Sequence, residues 1–132
     1  MTWVTSLLVI VVAAVGLLFG FQFYMVRRMQ RMRGKPAPEL DGRFGRASSR
    51  GRALFYFFSP ACGACRTMTP VVTDMSRGDD RVFPIDVSRD FDVARRFGVM
   101  ATPTTILVHK GLIDEVFVGP RNERALRGLM AS

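Results

Sequence analysis

The sequence predicts an α/β domain with a central mixed sheet flanked by helices, preceded by one helix that is long enough to span a membrane. Three observations support this fold class. Trp3 to Val26 is an apolar run without a charged residue. Ala53 to Phe58 and Val82 to Val87 are strand-like runs on either side of a helical pattern, and Lys110-Gly111 joins two further strand-like runs. The first pair is typical of parallel strands with a crossover helix, and the second pair is typical of a hairpin.

The apolar run Trp3 to Val26 exceeds the roughly 20 residues that are needed to cross a bilayer. Met1 to Ser6 contains no Lys or Arg, and Arg27-Arg28 follow the run, so the pattern differs from that of a cleavable signal peptide. A buried core helix is the alternative, but a domain of about 80 residues hardly encloses one. We therefore expect residues 1–33 to form a single-pass anchor that continues into a basic juxtamembrane helix.

Glycines and methionines in this anchor each allow two interpretations. Gly16 and Gly20 show the small-xxx-small spacing that brings two membrane helices together in a homodimer, or they simply face lipid. Met25, Met29 and Met32 follow at helical spacing between arginines, as in a helix that leaves the bilayer through the headgroups. A methionine-rich metal site is the alternative, although neither His nor Cys lies nearby.

The net charge of +8 comes almost entirely from the segment after the anchor. Residues 27–52 carry nine basic side chains against Glu39 and Asp41, whereas residues 53–132 carry ten basic and nine acidic ones. A nearly neutral domain disfavours nucleic-acid binding, and a basic cluster beside a membrane helix indicates topology and attraction to anionic lipid. Because Lys and Arg concentrate on the cytoplasmic side of membranes, the charge pattern places the domain in the cytoplasm.

Residues 34–52 contain four Gly, two Pro and two adjacent Ser, a composition typical of turns. We expect a semi-flexible linker here, followed by a folded domain over residues 53–132. Leu40 and Phe44 are the large apolar residues of this segment, and they can pack against the sheet as a short first strand.

The first half of the domain predicts a strand, a helix and a second strand. Ala53 to Phe58 has no polar break, as expected of a strand covered on both faces. A helix from Cys62 to about Ser76 follows, and Pro70 within it predicts a kink because proline lacks a backbone donor. Val82 to Val87 is the second strand.

The second half predicts a short helix, a hairpin and a last helix. Asp90 to Phe97 is helical and ends at Gly98. Thr104 to Val108 and Ile113 to Val118 are the two strands of the hairpin. Asn122 caps the last helix, whose inward face carries Ala125, Leu126, Leu129 and Met130.

The two cysteines of the chain lie in Cys62-Gly63-Ala64-Cys65, between the first strand and the helix. Two thiols at this spacing can close a small disulfide ring and reopen it with little movement of the backbone. The unpaired N–H groups and the positive end of the helix dipole favour the thiolate of Cys62 over its thiol, so we expect Cys62 to be the nucleophile and Cys65 to resolve. A zinc site needs four ligands, of which the pair supplies two, and the single histidine, His109, sits at a predicted strand end.

These motifs together resemble the thioredoxin superfamily over about residues 53–132. The motifs are the apolar strand, the sequence Cys62-Gly63-Ala64-Cys65, the helix with Pro70, the sequence Ala101-Thr102-Pro103-Thr104, and Asp86, Gly98-Val99 and Gly119. The resemblance implies the thioredoxin fold and a cis peptide bond before Pro103. It also implies that Thr102 and Pro103 form the platform that binds an extended substrate opposite Cys62. The residues of the active-site loop are then Pro60, Ala61, Gly63 and Ala64.

The sequence departs from thioredoxins at several positions that the resemblance makes important. Tyr56 stands where thioredoxins carry a buried acid that helps deprotonate the second cysteine, and Val82 is the counterpart of a lysine beside that acid. Ala61 replaces a tryptophan and Ala64 a proline. The dipeptide between the cysteines strongly affects the redox potential, so oxidase, reductase and isomerase directions all stay open.

The resemblance implies a thiol-disulfide oxidoreductase whose redox-active Cys62–Cys65 disulfide needs no other cofactor and no metal. Its partners are protein dithiols or disulfides, a redox partner and the lipid bilayer. Residues Gly34 to Leu40 further resemble the segment before the domain in membrane-anchored proteins of the TlpA type, which favours a bacterial inner membrane. Many such proteins work outside that membrane, so a periplasmic domain is the alternative. A binding or assembly factor and a copper-binding dithiol protein are the alternative functions.

Overall fold

The computed structural model describes residues 1–40 and 42–131, and of Arg43 it describes the backbone alone. Asp41, an acidic residue of the predicted linker, lies outside the described residues. A single 3-10 turn, Gly63–Arg66, precedes the third helix. The elements in chain order are α1 (Thr2–Gln30), α2 (Gly42–Arg50), β1 (Arg52–Phe58), α3 (Met68–Gly78), β2 (Val82–Asp86), α4 (Phe91–Arg96), β3 (Thr104–His109), β4 (Leu112–Val118) and α5 (Glu123–Ala131).

The four strands form one mixed sheet in the order β2-β1-β3-β4. Strands β1 and β2 are parallel, with Phe58 opposite Asp86, while β3 is antiparallel to both β1 and β4. Phe57 faces Thr104, which in turn faces Val118. The ends of β1, β2 and β4 and the start of β3 therefore share one edge, which we call the upper edge. The predicted mixed sheet flanked by helices is confirmed.

Side chains of β1 enter two hydrophobic layers, one on each face of the sheet. Ala53, Phe55 and Phe57 belong to the layer that α4 covers, and Leu54 and Tyr56 belong to the layer under α3 and α5. All five are fully buried. This double burial explains why β1 has no polar break in its sequence.

Helix α1 is long and apolar enough to cross a membrane, and its last turn packs against the domain. Met29 is 1% exposed within the α4-side layer, and the Gln30 Nε2 donates to the Val116 carbonyl at 2.8 Å. Arg33 pairs with Glu115 at 2.7 Å just after the helix ends. The prediction that these methionines face headgroups is therefore wrong for Met29, which is a core residue.

The segment predicted as a semi-flexible linker contains a regular element, α2. The ring of Phe44 in α2 packs edge-to-face against Phe83, with the ring centroids 4.9 Å apart. Leu40 packs on the same layer. Packing of these two residues is confirmed, but the element that forms is a helix rather than a first strand. The divisions of the chain at residues 33/34 and 52/53 stay predictions.

The tip of the β3–β4 hairpin is held by the segment before β1. Lys110 and Gly111 both have positive φ, 50° and 80°, as a two-residue hairpin turn requires. Gly111 accepts a hydrogen bond from the Ala37 N–H at 2.8 Å and donates one to the Ser48 carbonyl at 2.7 Å. The Lys110 N–H donates to the Gly51 carbonyl at 3.0 Å. The tip is thus clamped by three backbone bonds.

The helix predicted from Cys62 begins later than expected. The 3-10 turn occupies Gly63–Arg66, and α3 starts at Met68. Pro70 therefore lies in the first turn of α3, where backbone N–H groups lack intrahelical partners, so its missing N–H breaks no hydrogen bond within α3. The kink at Pro70 stays a prediction. The cap at Asn122 is present, because its Oδ1 accepts from the Ala125 N–H at 2.8 Å.

Candidate active site

A disulfide joins Cys62 to Cys65 at the upper edge, directly after β1. Their Cα atoms lie 5.4 Å apart. The Cys62 N–H donates to the Ser59 carbonyl at 3.0 Å, and the Cys65 N–H donates to the Cys62 carbonyl at 3.3 Å. These bonds fold the chain back immediately after the strand, so the two sulfurs can meet without help from a distant element.

The two cysteines differ in exposure. Cys65 is 2% exposed, whereas Cys62 is half-buried and caps the 3-10 turn with an extended backbone, φ −81° and ψ 110°. The loop residues Pro60, Ala61, Gly63 and Ala64 are all exposed. An incoming sulfur can therefore reach Cys62 more easily than Cys65.

Tyr56 and Thr69 form a hydrogen-bonded group under the disulfide. The Thr69 hydroxyl donates to the Cys65 carbonyl at 2.8 Å, and the two hydroxyl oxygens of Tyr56 and Thr69 lie 3.0 Å apart. The Tyr56 hydroxyl is also 3.4 Å from the Cys65 carbonyl. Burial raises the pKa of Tyr56, and the hydrogen bond with Thr69 lowers it by less. The position of the thioredoxin acid is therefore filled by a neutral phenol.

Thr69 is a part of the site that the sequence analysis missed. It follows Cys65 by four residues, the spacing at which a hydroxyl reaches back to the carbonyl one turn earlier. That spacing is the signal that could have found it. Its hydroxyl joins the site because the Tyr56 hydroxyl lies near the same Cys65 carbonyl.

The Thr102–Pro103 peptide bond is cis, as the resemblance implied. Pro103 is buried and Thr102 is half-buried. The Gly119 N–H donates to the Pro103 carbonyl at 2.9 Å, and the Thr104 hydroxyl donates to the Ala101 carbonyl at 2.6 Å. Because Thr104 pairs with Phe57 across the sheet, this loop lies on the same upper edge as the disulfide.

A groove of about 370 Å³ adjoins the loop before Pro103. Its lining includes Ser59 from the disulfide side, Thr102 from the cis-proline side, and the apolar Phe91 and Met100. Phe91 is 67% exposed and Met100 is 46% exposed. The site therefore combines a bridged cysteine pair with an open apolar surface.

Among residues 1–40 and 42–131, no group of three or more His, Cys, Asp or Glu side chains is arranged to hold a metal ion. His109 ends β3 at the edge opposite the disulfide. It therefore takes no part in this site.

Comparison with known proteins identifies the family. The sequence profile described as Thioredoxin matches residues 45–132. The chain belongs to the thioredoxin family. Thioredoxin from Bacillus subtilis is 32% identical over 93 residues, which cover 68% of this chain and 89% of that protein. A disulfide bond formation protein from Brevibacillus choshinensis is 33% identical over 85 residues, covering 61% of this chain and 72% of that protein.

A solved thioredoxin shares the fold. The structure of thioredoxin NaTrxh from Nicotiana alata superposes with a TM-score of 0.54 at 31% identity, covering 66% of this chain and 78% of that one. Thioredoxins are thiol-disulfide oxidoreductases that act on protein disulfides and use a redox-active disulfide rather than a cofactor. This chain, with its bridged Cys62–Cys65 pair, is an enzyme of that class.

Proposed function

We propose that the chain is a membrane-anchored thiol-disulfide oxidoreductase in which Cys62 attacks and Cys65 resolves. The observation that carries the proposal is the difference in exposure of the two bridged sulfurs at the upper edge. The half-buried Cys62, followed by the free N–H groups of a turn, is the sulfur that a target can reach and that favours the thiolate.

The exchange needs only the Cys62–Cys65 dithiol, a target disulfide and protons exchanged with water. Cys62 thiolate attacks one sulfur of a target disulfide, the target S–S bond breaks, and the departing target sulfur takes a proton from water. Cys65 then loses its proton and attacks the Sγ of Cys62, which releases the second target sulfur as a thiol after protonation. Two electrons pass to the target, and a dithiol donor must reduce the Cys62–Cys65 disulfide again. The reverse sequence oxidises a target dithiol.

Thr102 and Pro103 would hold the target during this exchange. A cis proline lacks an N–H and presents the backbone of the preceding residue, so an extended strand of the target can pair with Thr102. The nearby groove offers apolar contacts to side chains of that strand.

The anchor in this proposal is α1, which holds the domain at a bacterial inner membrane, with Gly34 to Leu40 as the TlpA-type connecting segment. The basic residues after the apolar run favour a cytoplasmic domain, and the family resemblance to anchored relatives keeps the periplasm as the alternative. Dimerisation through Gly16 and Gly20 stays a prediction.

The decisive experiment is to trap the mixed disulfide with the full-length protein in detergent. A Cys65→Ser variant should accumulate a covalent complex with a disulfide-bearing peptide, because nothing displaces the peptide from Cys62. A Cys62→Ser variant should not. Equal trapping by both variants would contradict the assigned roles.

Direction is decided by the midpoint potential of the cysteine pair. A value far below about −200 mV indicates a reductase, and a value near about −120 mV indicates an oxidant. If Cys62→Ser still supports the natural partner, the binding or assembly role is favoured instead. Stoichiometric copper that is lost on substitution of either cysteine would favour the copper-binding alternative.

A further inference from the structure

We propose that the upper edge, with its disulfide, faces the bilayer, and that its substrate is an extended, cysteine-bearing segment of a membrane protein beside the lipid headgroups. This inference rests on the proposed function, namely exchange at Cys62–Cys65 and a membrane-spanning α1. It adds the class of substrate that the site would take.

The direction of α1 follows from contacts that run antiparallel to β4. Gln30 bonds to the Val116 carbonyl at 2.8 Å, and Arg33 pairs with Glu115. Gly34 then donates to the Ile113 carbonyl at 2.7 Å. As the chain leaves α1 it therefore moves from the upper edge towards the lower one. Traced backwards, α1 rises past the upper edge.

The height of the disulfide relative to the apolar run can be estimated from these contacts. Val26 precedes Gln30 by four residues, about 6 Å along a helix. Val118 follows Val116 by two residues, about 7 Å along a strand. If α1 continues in the direction of these contacts, the last residue of the uncharged run lies near the level of Val118, which pairs with Thr104 beside the cis proline. If α1 spans the bilayer, the upper edge lies at the headgroups.

The surfaces at the two edges of the sheet differ in polarity, as expected if the upper edge faces the bilayer. Outside α1, the large apolar side chains that are most exposed among the described residues are Phe91, Met100 and Leu112. The first two line the groove at the upper edge, and Leu112 starts β4 at the lower edge. The larger groove, about 710 Å³, lies towards the opposite edge and is lined by charged residues. These charged residues are Arg46, Arg50, Asp80 and Arg81.

Charged side chains of both signs lie near the apolar surface at the upper edge, since the exposed Asp90 and Asp92 flank Phe91 in sequence. Arg66 follows Cys65 and is exposed, and Arg121 lies just beyond β4 with its guanidinium 4.2 Å from the centre of the Phe117 ring. Arg27 and Arg28 lie on the exposed surface of α1 close to the same level. Exposed apolar residues with exposed arginines nearby suit an anionic headgroup layer, while the two aspartates beside Phe91 oppose that attraction.

This geometry selects a membrane protein as the substrate. A soluble protein must enter between the domain and the headgroups to reach Cys62. A cysteine next to the membrane span of another protein is already delivered to that level by its own anchor, which raises its effective concentration at the site.

Orientation is tested with a single tryptophan in full-length protein reconstituted into phosphatidylcholine–phosphatidylglycerol vesicles. In a Trp3→Phe background, tryptophan is introduced at Ala61 on the upper edge or at Asp80 near the lower edge, both exposed positions. Lipids with a nitroxide near the glycerol backbone should quench the Ala61→Trp variant several-fold more than the Asp80→Trp variant. Met100→Trp replaces Ala61→Trp if the latter fails to fold. Equal quenching at both edges would overturn the orientation.

Substrate class is tested in the same vesicles with two single-span peptides that carry an intramolecular disulfide. In one peptide the disulfide adjoins the apolar run, and in the other a polar spacer of about ten residues separates them. The reduced protein should react about tenfold faster with the first peptide, since its disulfide is held at the site. A soluble peptide with the same disulfide serves as the reference.

A matched variant separates orientation from chemistry. Insertion of a flexible Gly-Ser segment of about ten residues between Val26 and Arg27 leaves the Met29, Gln30 and Arg33 contacts in place but frees the domain to turn. The preference between the two anchored peptides should then disappear, while the rate with the soluble peptide stays the same. Equal rates for the two anchored peptides with the native chain, together with normal reaction of the soluble one, would overturn this inference alone. Failure to react with any disulfide would overturn the proposed function as well.

Discussion

Tyr56 is the residue that most distinguishes this site from the thioredoxin pattern. Its phenol is fully buried, and its hydroxyl lies between Thr69 and the Cys65 carbonyl. A phenol donates hydrogen bonds but is a poor base near neutral pH, so it can position the turn that carries Cys65 without taking the proton of its thiol. Tyr56 therefore supplies no base for Cys65 in the proposed exchange.

Replacing Tyr56 with Phe should lower the free energy of unfolding by about 1 kcal/mol, because a buried hydrogen bond is lost while Thr69 still bonds to Cys65. Urea unfolding of the full chain in detergent, followed by circular dichroism, measures this change. Tyr24→Phe on the exposed face of α1 is the matched control and should have no effect. An unchanged urea midpoint for Tyr56→Phe would show that the hydroxyl group of Tyr56 does not contribute to stability.

Alkaline pH should weaken the fold through the same residue. Burial raises the pKa of Tyr56, so the folded state holds the phenol proton more tightly than the unfolded state does. The stabilisation is complete below the unfolded pKa of about 10 and is lost as the pH rises towards the folded value. Urea midpoints measured between about pH 8 and pH 11 should fall at the alkaline end. Tyr56→Phe should reduce that fall, and an equal fall in both proteins would refute the assignment.

The element that connects anchor and domain is the last turn of α1. Met29 is 1% exposed and lies in the same layer as Phe57 and Val116, so the helix end is part of the core. Gly98, with φ 69°, lies close to the chain just after α1. A Cβ added at this position would stand 3.2 Å from the Met32 sulfur. Glycine at this position allows both the left-handed end of α4 and the close approach of the anchor.

Substituting Met29 with Ala should reduce the free energy of unfolding by about 2–5 kcal/mol, the range for removing a large buried side chain. Met25, one turn earlier and only half-buried, is the control, and Met25→Ala should cost much less. Urea unfolding of both full-length variants in detergent gives the comparison. Similar small losses for the two would mean that α1 does not depend on this packing.

Sequence periodicity predicted the strands well, since β1, β2, β3 and β4 each match an apolar or β-branched run within one or two residues. It failed where tertiary contacts decide the structure. Helix α2 forms over a sequence with two glycines because Phe44 packs against Phe83 and Phe55. The sequence predicts that Met29 lies at the lipid headgroups, because its place in the same core layer as Val116 of β4 depends on tertiary structure. At the site, the cysteines and the cis Pro103 were predicted from spacing and resemblance, whereas Thr69 was missed although its spacing of four from Cys65 is a signal for its hydrogen bond.

At the scale of the whole molecule, charge divides the chain into a basic segment after the apolar run and a nearly neutral domain. Residues 27–52 hold nine basic side chains, and five of these lie in positions 27–35. The same arginines that predict topology also surround the end of α1, where Arg33 joins the domain to the anchor through Glu115. In the proposed arrangement, the residues that favour one membrane side thus adjoin the residue that joins the domain to α1.

A membrane-impermeant maleimide should leave Cys62 of the reduced protein unlabelled in intact spheroplasts and label it after lysis, because the basic cluster favours a cytoplasmic domain. A Cys62→Ser variant shows which part of the signal belongs to Cys62. Labelling of intact spheroplasts would instead place the domain in the periplasm.

The clamp on Gly111 has a consequence for how the molecule opens. A hairpin tip normally frays first, but here the amides of Ala37, Lys110 and Gly111 are shared between the tip and the segment before β1. Exposure of these amides to solvent requires that the hairpin tip and the segment before β1 separate. Their deuterium uptake should therefore proceed at one common rate, because the segment before β1 and the β3–β4 hairpin tip open as one cooperative unit.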